Sequence, residues 1–205
     1  MSDRLRIVVL GMMGRSPFGG QTWLYLNWLR GLVEAFAGLR ALEPRAALLL
    51  VGHGPGRESA EAAVAEHGIG ADVVFTGHVQ PADVPDHIAA MDVPVVPYRA
   101  TADFYFSPLK LFESMAVGRP TVAAAIGHLG EVVEDEQTGV LYEAGSAAAL
   151  RDAVAGLLRD RERAERIGAA GRAVVLARHT MAANAARAIE IARVPRAPLA
   201  LAEAL

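Results

Sequence analysis

Lys110 and Glu113 are the two side chains best placed to act on a charged, hydroxylated ligand, because both fall in a helical pattern whose ends are written in the sequence. Ser107 suits the N-cap, Pro108 the first turn, Gly118 the left-handed residue past the end, and Pro120 prevents continuation. If that helix starts at the ligand-facing edge of a sheet, its free N–H groups and positive dipole end favour a phosphate or diphosphate. Lys110, the sole lysine among 20 basic residues, adds a full charge near the start. The Glu113 carboxylate can accept two hydrogen bonds from a vicinal diol such as a ribose. The same spacing fits a solvated i,i+3 pair that contributes about 0.2–0.5 kcal/mol. Leu109, Phe112 and Ala116 mark the expected buried face of this helix.

A second loop with ligand chemistry is Val51-Gly52-His53-Gly54-Pro55-Gly56, where glycines let a backbone approach a ligand closely. It departs from a dinucleotide fingerprint. Arg57 stands where a third glycine belongs, and Thr76-Gly77-His78 replaces the acidic residue expected after the next strand. A tight strand-to-helix turn with no ligand is the other reading, with His53 an exposed turn residue. His53, His67, His78, His87, His128 and His179 never form an i,i+4 pair, and no D-x-D triplet occurs, so no metal is expected. The absence of cysteine excludes disulfides, thiolate zinc sites and a cysteine nucleophile.

These loops need a scaffold. Short apolar runs at 5–10, 47–51, 73–76, 93–97, 121–124 and 140–142 alternate with helical patterns at 21–42, 58–67, 81–91, 108–117 and 128–134. Three further helices are expected at 146–158, 160–177 and 180–192, then a tail over 193–205. This alternation predicts an α/β fold: a Rossmann-like parallel sheet of about six strands with helices on both faces, one domain over residues 1–192. Such sheets bind ligands beyond the carboxyl ends of their strands. With 53% hydrophobic and 21% charged residues the chain of 205 can bury a substantial core. A net charge of −3 with scattered signs and no basic stripe argues against nucleic acid. The apolar run at 7–10 is too short for a signal-peptide core or membrane span, and the expected location is cytoplasmic.

The run Phe104-Tyr105-Phe106-Ser107-Pro108-Leu109-Lys110-Leu111-Phe112-Glu113-Ser114-Met115-Ala116-Val117-Gly118-Arg119-Pro120-Thr121-Val122 resembles the donor-site segment of family 4 glycosyltransferases of GT-B architecture. The likeness continues through Gly127 to Leu141, with Glu131-Val132-Val133 and Thr138-Gly139-Val140-Leu141, and takes in Leu48 to Pro55 and Val74 to Val79 upstream. It covers about residues 31–192. The resemblance implies that Glu113 holds the nucleotide ribose, backbone amides around Leu109 and Lys110 hold the phosphates, and the base sits near Val79 and Gln80. The family's first glutamate, eight positions earlier, is replaced by Tyr105, and Ser107-Pro108 replaces the usual glycine-bearing turn.

The N-terminal segment departs from the donor-domain pattern of a strand followed by an arginine and a lysine. Gly11 to Trp23, with Gly14-Arg15, looks more like the opening of the family's acceptor-side domain, as though two distant segments were joined; residues 1–30 are atypical in this sense. Arg15 is the residue available for the diphosphate role. Trp23, Tyr25, Leu26 and Trp28 also fit the core face of an amphipathic helix. What the resemblance implies is transfer of a sugar from a nucleotide donor to an acceptor with retention, without metal or cofactor. The acceptor is not specified, and its half of the site is expected from a second subunit or copy. A nucleotide-binding module without catalysis and a related sugar-nucleotide epimerase are the competing readings.

Overall fold

Apolar runs of three to five residues form strands here because they are too short for helices and are covered by helices on both sides. The computed structural model describes residues 6–10, 22–54, 56–98 and 109–193, with the backbone alone at 6–10 and 22–28. The strands are β1 (Arg6–Leu10), β2 (Ala47–Val51), β3 (Val73–Phe75), β4 (Val93–Val96), β5 (Val122–Ala124) and β6 (Val140–Tyr142). The helices are α1 (Thr22–Leu42), α2 (Arg57–Glu66), α3 (Val84–Ala89), α4 (Leu109–Val117), α5 (Leu129–Val132), α6 (Ala147–Arg159), α7 (Arg161–Arg178) and α8 (Met181–Arg193).

The strands form one sheet in the order β3-β2-β1-β4-β5-β6, every pair parallel. Val8 lies opposite Leu49 of β2 and Pro94 of β4, and Val122 opposite Val95 and Val140. The chain builds outward from β1 to β3, then crosses back to β4. Right-handed crossovers therefore place α1 and α2 on one face and α4 and α5 on the other. Packing agrees: α1 lies against α2 and α6, and α4 against α3 and α7. Leu48, Leu50, Val95 and Val122 form the sheet's share of the core, flanked by Val33, Leu39, Leu150 and Ile167. β4 and β5 are buried throughout, whereas Val74 on the edge strand β3 is exposed. Pro94 sits in a central strand, where proline is rare; pairing to β5 begins only at Val95.

Three expectations are corrected. The helix expected over 81–91 is divided into a 3-10 turn, Pro81–Asp83, and the short α3, because prolines at 81 and 85 each favour a helix start. The helix expected over 128–134 stops at Val132, since Val133 is extended and leads into the turn before β6. The buried face of α4 is Leu111, Ser114 and Met115; Leu109 is 62% exposed and Phe112 and Ala116 are half-buried. The rotation follows from α7, whose glycine backbone comes close to α4. A Cβ on Gly168 would stand 2.3 Å from the Gly118 carbonyl oxygen, and one on Gly171 3.4 Å from Met115 Cε. Among the described residues no helix is long and apolar enough to cross a membrane.

Candidate functional site

The strand order reverses between β1 and β4, and sheets of this kind take their ligands beyond the carboxyl ends of the strands at such a reversal. β4 runs into Pro97 and Tyr98, and α4 starts again at this edge with Leu109. Arg15, Tyr105, Ser107 and Pro108 lie outside the described residues. The far end of α4 matches expectation: Gly118 has φ +83° and its N–H donates to the Met115 carbonyl at 2.9 Å. The Arg172 guanidinium donates to the Ala116 carbonyl, one of the acceptors that the helix end leaves without a partner.

Lys110 is folded inward. Its Nζ lies 5.7 Å above the centre of the Tyr98 ring, and Tyr98 is itself buried at the end of β4. Burial strips water from the ammonium and lowers its pKa from 10.5 to about 8, with the Glu113 carboxylate pulling weakly the other way. Glu113 is exposed, and its carboxyl is pushed above the ordinary range by partial desolvation, opposed by Lys110. Lys110 is therefore the less hydrated of the two, and Glu113 faces solvent. The ring holds the lysine at the sheet edge, where a cation–π contact offsets only part of the lost hydration. A cation in that state has most to gain from an arriving anion.

The glycine loop closes on its neighbour. Gly52, at φ +119°, gives its N–H to Thr76 Oγ1 at 3.1 Å and forms a bridge with Gly77, so the loops after β2 and β3 are tied together. Arg57 lies 5.2 Å over the Phe75 ring and pairs with Glu61 at 2.7 Å, which commits it to the fold. His53 is exposed on this loop, and the Gly54 carbonyl accepts from Arg57 N–H at 3.1 Å. Val79 packs on the small cluster of Val51, Ile88 and Met91, leaving Gln80 exposed and extended beside it. All these loops share the carboxyl edge of the sheet, with Gly52, His53, Gly54, Val79 and Gln80 on the β2–β3 side and Lys110 and Glu113 on the β4 side.

A groove of about 240 Å³ opens on the α1–α6 face of the same edge. Arg30 and Glu34 of α1, Tyr98 after β4, Tyr142 at the end of β6 and Ser146 at the start of α6 line it. Sequence reasoning missed this group. The local signal was Gly145-Ser146: a glycine at φ +87° followed by a serine whose Oγ accepts the Ala149 N–H at 3.1 Å, a strand-to-helix turn at the carboxyl edge of the sheet.

The sequence model of a family described as glycosyl transferases group 1 matches residues 8–160. The GDP-mannose-dependent alpha-(1-6)-phosphatidylinositol monomannoside mannosyltransferase of Mycobacterium tuberculosis is 37% identical over 149 residues, 71% of this chain and 39% of that protein. This chain thus spans about two-fifths of the length of that relative. Among solved structures, Anabaena HepE in complex with UDP and glucose superposes with a TM-score of 0.74 at 22% identity, over 92% of this chain and 48% of HepE. The C-terminal domain of the group 1 glycosyl transferase LpcC from Francisella tularensis superposes with a TM-score of 0.70 at 19% identity, over 86% of this chain and 87% of that domain. At these identities the two structures speak for the fold alone.

Proposed function

This chain belongs to the glycosyl transferases group 1 family, and from that premise we propose that its carboxyl-edge crevice binds a nucleoside-diphosphate sugar as the donor for glycosyl transfer. The observation that carries the reading is Lys110, held over Tyr98 near the start of α4 beside the reversal of strand order. The complex of HepE with UDP and the GDP-mannose dependence of the mycobacterial relative agree with a nucleotide donor and leave the base open.

In this reading the donor diphosphate lies over the α4 N-terminus, with the backbone amides around Leu109 and Lys110 donating to it and Lys110 supplying the charge. Glu113 takes the ribose hydroxyls and Val79 and Gln80 face the base, while the resemblance gives Arg15 the diphosphate role and puts Tyr105 in the place of the family's first glutamate. The Gly52-His53-Gly54 loop forms its outer rim. As the bond from the anomeric carbon to the phosphate oxygen breaks, negative charge grows on the leaving diphosphate; Lys110 and the helix dipole stabilise it without a metal. The acceptor oxygen then bonds to that carbon on the same face and loses its proton to a diphosphate oxygen, which retains configuration.

Titration calorimetry with UDP, GDP and ADP tests the site. Glu113→Ala is expected to weaken the preferred nucleotide about 10- to 100-fold, as loss of hydrogen bonds to a charged group does. Equal affinity in both proteins would remove the ribose role. A second reading is nucleotide binding without turnover. Transfer assays with the matching sugar nucleotide decide between them, and an acceptor half from a second subunit or copy would restore activity to a chain that binds alone.

A further inference from the structure

Helix α8 differs from the other long helices in burying no side chain. Of its 13 residues only Ala183 is half-buried, and Met181, Ile189 and Ile191 are 85%, 53% and 66% exposed. A helix of this length without tertiary burial is marginal in water. Its start is nevertheless well formed, since Thr180 Oγ1 accepts the Ala183 N–H at 3.1 Å. The side chains able to stabilise it face solvent, so they gain their burial only against a surface beyond the described residues.

The pattern of that face specifies the surface. At about 3.6 residues per turn, Met181, Ala185, Ala188, Ile189 and Ala192 fall on one side, with Asn184 and Ile191 along one margin. Arg187 follows beyond Ile191 and Arg193 beyond Ile189, so a guanidinium flanks each edge of the apolar arc. Glu190, the only carboxylate of α8, stands opposite the centre of that arc, on the side of the half-buried Ala183. Arg178 at the end of α7 adds a third cation. Among the described residues none of these three arginines is paired with a carboxylate. Burial and then the neighbouring Arg187 and Arg178 charges hold the His179 imidazole below its ordinary pKa. The α7–α8 corner thus carries a positive field in a chain whose net charge is −3.

Two kinds of partner fit this face poorly. A second copy paired through it, in either orientation, sets an arginine margin against an arginine margin, with each Glu190 on the far side. A folded protein partner is anchored by a few large side chains seated in pockets, whereas this face is mostly alanine with its large side chains spread along the helix. Shallow apolar contact along a helix suits the boundary between headgroups and acyl chains. Arginines at both edges can lay their stems on that boundary and reach anionic groups with their heads.

We propose that α8 lies on an anionic lipid surface, its Met181–Ile189 face entering the acyl boundary and Arg187 and Arg193 taking lipid phosphates at either edge. The contact needs no nucleotide and does not rest on the donor reading. It is attachment and not a span, because a helix of 13 residues is too short to cross.

Flotation of the full chain with vesicles tests it, using phosphatidylcholine alone and phosphatidylcholine with about one-third phosphatidylglycerol. The chain is expected to float with the anionic vesicles and to stay behind with the neutral ones. The bound fraction should fall severalfold between about 0.05 and 0.5 M salt. Arg187→Gln with Arg193→Gln should weaken partition about 10- to 30-fold, and Met181→Ser with Ile189→Ser at least as much. All four positions are exposed, so the melting temperature should hold; were the serine pair to lower it, the glutamine pair carries the same test. No flotation, equal flotation with both vesicles, or unchanged partition of the variants overturns the proposal. A dimer in light scattering that the serine pair abolishes also overturns it, by giving the face to a second copy. Flotation that appears only after removal of residues 194–205 does so too, by giving the face to the chain's own tail. No nucleotide enters the assay, so this proposal and the donor reading can fail separately.

Discussion

Lys110→Met is expected to make the unliganded protein more stable at pH 7 while weakening its affinity for a nucleoside diphosphate about 10- to 100-fold. Both effects come from one ammonium kept short of water above the Tyr98 ring. A fall in pKa from 10.5 to about 8 corresponds to at most about 3 kcal/mol of unfavourable charge burial in the folded state. The sign is that of a base whose folded pKa is depressed. Below about pH 8 both folded and unfolded chains carry the proton and the destabilisation is fully present. Between about 8 and 10.5 the unfolded chain holds the proton more tightly, so stability rises with pH, and above that window the cost is gone. Methionine keeps the stem packed without the charge, so its advantage of about 1–3 kcal/mol in urea unfolding should shrink over the same window. Binding has the opposite dependence. A bound diphosphate raises the lysine pKa, so wild-type affinity should fall as pH rises above about 8, and the variant should lack that slope. Equal stability of the two proteins at pH 7, or parallel affinity profiles, would show that Lys110 is solvated and has no part in the site.

The scaffold was more legible than the site. Strands β2 and β6 begin and end where their apolar runs do, and α6 and α7 start behind Ser146 and Asp160, whose side chains accept N–H groups of the first turn. These are local signals, written within a few residues. The orientation of α4 is not local. Lys110 lies over a tyrosine twelve positions earlier only because β4 and α4 converge at the sheet edge, and no periodicity reports that. Likewise Arg57, the residue that breaks the dinucleotide fingerprint, acquires its role only when Phe75 of the adjacent strand comes beneath it. The α1–α6 groove draws its lining from residues spread over more than a hundred positions, so it becomes visible only once the sheet is assembled. Resemblance pointed to α4 as the helix of the proposed donor site; coordinates were needed to find which of its faces is buried.

Gly168→Ala should be the most damaging single-methyl change in the described fold, costing about 2–4 kcal/mol. In a helix interior alanine is ordinarily better than glycine by about 1 kcal/mol, so the sign itself is informative. At Gly168 of α7 an added Cβ would stand 2.3 Å from the Gly118 carbonyl oxygen and 3.1 Å from Pro120 N, and both obstacles are backbone. Gly118 holds φ +83° at the end of α4, a conformation that leaves the turn little freedom to yield. One turn further along, a Cβ on Gly171 would meet the Thr138 carbonyl oxygen at 2.5 Å. The glycines of α7 thus let it lie directly on the turn that closes α4 and on the entry to β6. Gly31 of α1 is the counterpart, since a Cβ added there would meet nothing within 4 Å: Gly31→Ala is expected to stabilise by up to about 1 kcal/mol. Denaturant midpoints of the two variants against wild type give the comparison. A shift of the α4–α7 contact moves the helix that carries Lys110 and Glu113, so folded Gly168→Ala should also bind nucleoside diphosphate more weakly, with Gly31→Ala unchanged. Equal, mild effects of the two substitutions would mean that α7 does not brace the α4 turn and that the position of Lys110 is set elsewhere.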